Sequence, residues 1–185
     1  FIRGEPSRPA DHRAGDDPRA VDTQVSSPPE AELRARAAVT EDLPAPRNAG
    51  AADRERVAEL LGREPSAGFE VVVRNAAGDP VVIRNEPFMA DRTPMPTLYY
   101  LVDPDLLRLI GRLEAAGGVR AAEADVGLAA IEQTHRRYAS EREASIPPST
   151  TGPRPSGGVG GTRRGVKCLH AHYAYHLAGG DDALG

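Results

Sequence analysis

Two runs rich in β-branched residues, Phe69-Glu-Val-Val-Val-Arg74 and Pro80-Val-Val-Ile-Arg84, stand on either side of Asn75-Ala-Ala-Gly-Asp79. Each run has the composition of a strand, and a connection this short with a glycine in it predicts an antiparallel hairpin. A third strand is expected over Thr97-Leu-Tyr-Tyr-Leu-Val102, after the turn-rich segment Asp91-Arg-Thr-Pro-Met-Pro96. The three runs together predict a small antiparallel meander.

Helical periodicity surrounds these strands. Val57, Leu60 and Leu61 fall at helical spacing, with Gly62 placed to end the helix and Pro65 shortly after it. Asp103-Pro104 offers a capping side chain followed by proline at the first helical position, ahead of the apolar stripe Leu106, Leu107, Ile110 and Leu113; Gly117-Gly118 is the stop. From about Ala121 to Glu143 a longer pattern sets Leu128, Ile131, His135 and Tyr138 on one face, which directs His135 at the core. A Pro/Gly-rich loop expected to be flexible, residues 145–161, leads to a last helix predicted over Arg164 to Ala178. The expected fold is α+β: a three-stranded antiparallel sheet packed with about four helices, in one domain over residues 51–185.

Residues 1–50 read differently. Prolines 6, 9, 18, 28, 29, 44 and 46 lie among charges and alanines, with few bulky apolar side chains to offset the entropy of ordering. A disordered arm is predicted, with a transient helix from Pro28 to Val39.

With Lys+Arg 23 against Asp+Glu 27 the net charge is -4, so the basic excess of a nucleic-acid-coating protein is missing and a nucleic-acid partner is not expected. The single cysteine excludes an internal disulfide and any zinc site built from several cysteines. No run approaches the ~18 consecutive apolar residues of a membrane helix, and none of signal-peptide length follows Phe1-Ile2-Arg3, so a cytoplasmic location without a membrane span is the expectation.

Candidate chemistry concentrates in Ser156-Gly-Gly-Val-Gly-Gly-Thr-Arg-Arg-Gly-Val-Lys-Cys-Leu-His-Ala-His-Tyr-Ala-Tyr-His176, which holds the only cysteine, the only lysine and a dense glycine cluster. On the predicted helix, Val166, Leu169, Tyr173 and Leu177 share an arc, and Cys168, His172 and His176 form a stripe on its flank. The stripe spans ~12 Å, too far for one ion with bonds of ~2.0 to 2.3 Å, so only an adjacent pair can act together. A metal set of His135, Cys168 and His172 is one candidate, with Asp91, Asp125 or Glu132 as further carboxylates. In a second, Cys168 is a nucleophile favoured as thiolate by the helix end and nearby cations, with His172 as its base. In a third, the glycine loop with Arg163, Arg164 and Lys167 captures a phosphate or another anion, although the Gly-Lys-Ser/Thr order of a Walker loop is missing. Each has a plainer reading: hydrogen-bonded packing histidines, an inert buried thiol, a glycine hinge. No complete catalytic or cofactor motif is present, and the cofactor stays unassigned.

Leu61-Gly-Arg-Glu-Pro65, Asp91-Arg-Thr-Pro-Met-Pro-Thr-Leu-Tyr-Tyr-Leu101, Arg112-Leu-Glu-Ala115, His135-Arg-Arg-Tyr138 and Gly165-Val-Lys-Cys-Leu-His-Ala-His172 resemble the bacterial domain-of-unknown-function family 501, in the same order from about residue 53 to the C-terminus. The Val-Lys-Cys-Leu-His block is the most specific part. Members of that family often carry cysteines around the first hairpin, where this chain has Arg74-Asn-Ala-Ala-Gly78, and end on an Asn-Pro-Val-Gly-like segment, where it has Asp181-Asp-Ala-Leu-Gly185. The resemblance implies no established activity. Its gene neighbourhood, near a septum-formation protein and an exopolyphosphatase, implies a protein partner in cell division or envelope processes. The two functional expectations are therefore a cytoplasmic partner-binding module, and an enzyme or ligand-binding protein that uses the Cys/His site on an anionic small molecule.

Overall fold

The computed structural model describes residues 49–185. The predicted arm and its Pro28–Val39 helix lie outside the described residues, apart from the arm's last positions. Helix α1 (Ala51–Leu61) ends where Gly62 enters the left-handed region at φ 67°, and it buries Val57 completely. The sheet consists of β1 (Ala67–Arg74), β2 (Pro80–Met89) and β3 (Tyr99–Leu101), in the order β1-β2-β3 with both pairings antiparallel. In the hairpin loop the Asn75 side-chain oxygen accepts from the N–H groups of Ala77 and Asp79, both at 3.0 Å, and so closes the turn from inside.

Successive residues of a strand point to opposite faces, and the meander uses this to feed two cores. Ile83 packs with Phe69, Val102 and Val57 of α1. Val82 joins the larger cluster with Leu98, Tyr99 and Leu101, against helices that follow the sheet in the chain. These are α2 (Pro104–Ala115), α3 (Gly118–Val126), α4 (Leu128–Ala144) and α5 (Leu169–Leu177). As its sequence predicts, α2 begins with Asp103 accepting from the N–H groups of Asp105 and Leu106 at 2.9 Å and with Pro104 in its first turn.

Two helices differ from expectation, each for a local reason. The long helix predicted from Ala121 to Glu143 is two helices, broken at Gly127, whose φ of 81° and ψ of 145° no helix accommodates. Five α-helices result among the described residues, where about four were expected. The last helix starts at Leu169 instead of Arg164, because Gly165 has φ 59° and the Val166 N–H is taken by the Glu123 carboxylate of α3. Its buried side is also displaced from the predicted arc: Ala171, His172, Ala174 and Tyr175 face inward, with the alanines allowing close approach to β3.

Three tyrosines, one from each of β3, α4 and α5, knit this core. Tyr99 and Tyr175 stack with centroids 5.5 Å apart, and Tyr138 meets Tyr175 edge-on at 5.1 Å. The fully buried Tyr138 hydroxyl accepts the Leu98 N–H, and Tyr99 donates to Glu141. Burial pushes Tyr138 and Tyr175 up to about 12, and burial with the Glu141 hydrogen bond raises Tyr99 further.

Candidate cleft at the head of helix α5

Helix α5 begins with first-turn backbone N–H groups that have no partner within the helix and with Cys168 as its N-cap, whose side chain makes no capping bond. Glu114, in the last turn of α2, satisfies part of that need by accepting the Leu169 N–H. The same oxygen lies 3.0 Å from His170 Nδ1, while His170 Nε2 sits 3.2 Å from the Leu107 carbonyl oxygen. Two residues of α2 thus fix the imidazole ring from both ends. Cys168 is half-buried beside them, and donor atoms of Glu114, Cys168 and His170 all lie within 4.8 Å of one another.

Cys168 and His170 also form part of the wall of a cleft of about 320 Å³. Thr97, Tyr99 and Tyr100 of the β3 region face them, Leu107 contributes an apolar side, and Gly160 and Lys167 complete the loop side. No carboxylate is in this lining. Lys167 Nζ donates to the Gly160 carbonyl at 3.2 Å, which leaves two ammonium protons for other acceptors. The volume is at the low end for small-molecule sites, and the mixture of apolar wall and a few convergent polar groups suits one.

The glycine-rich approach is tied to α4 by two buried side chains. His135 Nδ1 accepts the Val159 N–H at 3.1 Å, and its Nε2 donates to the Gly165 carbonyl at 2.9 Å, so both ring nitrogens serve the loop backbone. Arg142, 3% exposed, donates to the carbonyls of Pro96 at 3.0 Å, Gly157 at 2.7 Å and Pro155 at 3.4 Å. Burial pulls the Arg142 guanidinium below its ordinary value. Close approach explains Gly158: an added Cβ would stand 2.4 Å from the His135 ring. Val159 and Gly160 are buried as a result, and Arg163 and Arg164 are left exposed outside the cleft lining.

His172 occupies a different compartment. It is 1% exposed, and its Nδ1–H donates to the buried Asp182 carboxylate at 2.8 Å and 3.0 Å. Its Nε2 is buried without a hydrogen-bond partner, and the ring lies 5.7 Å from that of His135. Asp182 belongs to the chain end, which folds back over α5 and is held to α4 by Arg137 donating to the Asp181 carbonyl and by the Ala183 N–H donating to Thr134 Oγ1.

The structure therefore brings His135 beside His172 but joins neither to Cys168 by a hydrogen bond: both nitrogens of His135 are on backbone groups, and those of His172 are on Asp182 and unpartnered. The imidazole within reach of the thiol is His170. Of the basic trio Arg163, Arg164 and Lys167, only Lys167 lines the cleft.

A family model described as Protein of unknown function (DUF501) matches residues 71–185. The chain belongs to this family. The DUF501 match contains the whole cleft, the Glu114–Cys168–His170 group and the His172–Asp182 pair, and it leaves α1 outside, so it begins later than the resemblance from residue 53 suggested. No curated protein and no solved structure matches the chain. The DUF501 family carries no assigned function. No described helix is long and apolar enough to cross a membrane. Three DUF501 residues of this site escaped the reading of the sequence alone. His170 is two residues from both Cys168 and His172, on the side of the predicted helix opposite the Cys168/His172/His176 stripe, Glu114 reads as an ordinary last-turn charge of α2, and Asp182 lies beyond the last helix. Only the quoted Arg112-Leu-Glu-Ala115 and Cys-Leu-His blocks signalled the first two.

Proposed function

We propose that this protein binds a small anionic molecule in the cleft between β3 and the head of α5, with Lys167, Cys168 and His170 as its polar contacts. The observation that carries this reading is the cleft itself: about 320 Å³ of space on whose wall stand the chain's only lysine, its only cysteine and an oriented histidine, with no carboxylate among them. Lys167 supplies the charge, and the exposed Arg163 and Arg164 just before it in the chain add to the positive field that an anion meets on approach. Tyr99, Tyr100 and Leu107 offer apolar surface for the body of the ligand. The partner-module reading has less support, because only Tyr100 at 39% and Leu128 at 49% are large, hydrophobic and exposed among the described residues.

The test uses thermal shift with three probe classes: inorganic phosphate, a nucleoside monophosphate and a dicarboxylate. Iodoacetamide alkylation of Cys168, followed by intact-mass spectrometry, reports whether a binder occupies the cleft. One class should raise the melting temperature and slow alkylation, and Lys167→Met should abolish both effects. A binder that leaves alkylation unchanged, or whose binding survives Lys167→Met, contradicts the proposal.

A further inference from the structure

The His170 ring presents a hydrogen-bonding problem that one proton arrangement cannot solve with neutral partners. Its Nε2 faces the Leu107 carbonyl at 3.2 Å, an acceptor only, so Nε2 carries the hydrogen. Nδ1 then holds a lone pair, yet it faces a carboxylate oxygen of Glu114 at 3.0 Å. Two acceptors at that distance need a proton between them, on the ring or on the carboxyl group, or a metal ion. Cys168 is the observation that favours the metal. Its sulfur lies within 4.8 Å of the same nitrogen and oxygen, so the electropositive gap is flanked by a third donor of a different chemical type.

From this geometry we infer that Glu114, Cys168 and His170 form a three-ligand site for a divalent transition-metal ion, zinc being the ion that suits a thiolate, imidazole and carboxylate set. An ion ~2.0 Å from both His170 Nδ1 and Glu114 spans their 3.0 Å separation at an angle near ~95°, and the Cys168 sulfur, within 4.8 Å of both atoms, is the third ligand. The Leu107 carbonyl fixes the ring orientation and tautomer in the way metal-bound histidines are usually held, by a hydrogen bond at the far nitrogen. The positive end of α5 opposes a cation, and the two anionic ligands offset it. Three protein ligands leave a fourth position, and because Cys168 and His170 line the cleft that position opens toward it. Such an ion would bind the anionic group of a ligand directly, so the inference rests on the cleft reading and deepens it. The set differs from His135, Cys168 and His172: both nitrogens of His135 are bonded to backbone groups, and the histidine that shares donor-atom distance with the thiol is His170, not His172.

The test loads the full chain with Zn²⁺ or Co²⁺ alone, measures stoichiometry by mass spectrometry of the metal, and records the cobalt spectrum. One equivalent should bind, with a near-ultraviolet thiolate-to-cobalt charge-transfer band. Cys168→Ser should lose the band, and Cys168→Ser, His170→Ala and Glu114→Gln should each weaken affinity by at least about 10-fold while circular dichroism shows the fold intact. The exposed His176→Gln should bind as the parent does. Absence of a bound equivalent, a cobalt spectrum lacking the thiolate band, or undiminished affinity in Cys168→Ser or Glu114→Gln would overturn the inference. Failure here is distinguishable from failure of the cleft proposal: a metal-free protein whose Cys168 is still protected by an anion retains the cleft and loses the metal, and the reverse result does the opposite.

Discussion

Removing the Asp182 carboxylate should cost this protein more than its position three residues from the chain end suggests. The side chain is fully buried, and it accepts the His172 Nδ1–H at 2.8 Å and the Leu184 N–H at 2.9 Å. In Asp182→Ala the His172 N–H is left inside the core next to a ring nitrogen that already has no partner, so the imidazole has no hydrogen bond at either end. An orphaned buried donor costs about 1–3 kcal/mol, and the loss of the Leu184 bond, at a half-buried site that water reaches, adds roughly 0.5–1 kcal/mol. The expected total is about 1.5–4 kcal/mol, read as a lower urea midpoint at unchanged slope and a fall in melting temperature of roughly 10 °C. The double-mutant cycle isolates the cause. In a His172→Ala background the same Asp182→Ala change should cost under about 1 kcal/mol, because no orphan remains. Equal costs in the two backgrounds, or a cost below about 0.5 kcal/mol in the parent, would refute the reasoning.

Three further outcomes follow from the packing. Tyr99, Tyr138 and Tyr175 all have folded values raised above the unfolded value of about 10, so above that pH the unfolded chain releases tyrosine protons first, and stability present below pH 10 is lost as pH rises toward 12. Urea titrations between pH 9 and pH 12 should show this decline, and a shallower one in Tyr138→Phe. Gly158→Ala should be among the most damaging substitutions in the loop, since its Cβ meets the His135 ring at 2.4 Å, and it should release residues 157–165 to proteolysis before the sheet unfolds. Asp103→Ala should cost about 1 kcal/mol of stability through the loss of the two cap bonds of α2, with no effect on metal or anion binding.

The sheet was legible because its determinants are local. β-branched runs, a glycine-bearing turn and an Asp-Pro cap act through neighbouring residues, and each appears where the pattern places it. Gly127 shows the limit of periodicity: the apolar spacing runs through it, and only its backbone angles reveal the break. His135 was correctly directed at the core, but its partners, Val159 and Gly165, are 24 and 30 residues away, and no spacing rule links them. The site was half legible for the same reason. Cys168 and Lys167 stand out by rarity, whereas Glu114 reaches Leu169 and His170 from 55 and 56 residues away through the packing of α2 on α5, and a helical wheel drawn from Arg164 misassigns which histidine stands by the thiol. Had the wheel begun at Leu169, His170 and His172 would still have been indistinguishable without the chain end that covers one of them.

Both the anion cleft and the metal site require Cys168 to stand in the open wall of the cleft and not to be an inert core thiol. The rate at which the native protein reacts with a chromogenic disulfide reagent tests it most directly, because the chain has a single thiol. Reaction is expected in the folded state, first order in reagent, insensitive to sub-denaturing urea and suppressed by Zn²⁺. A rate that saturates with reagent and rises with urea in step with global unfolding would contradict it.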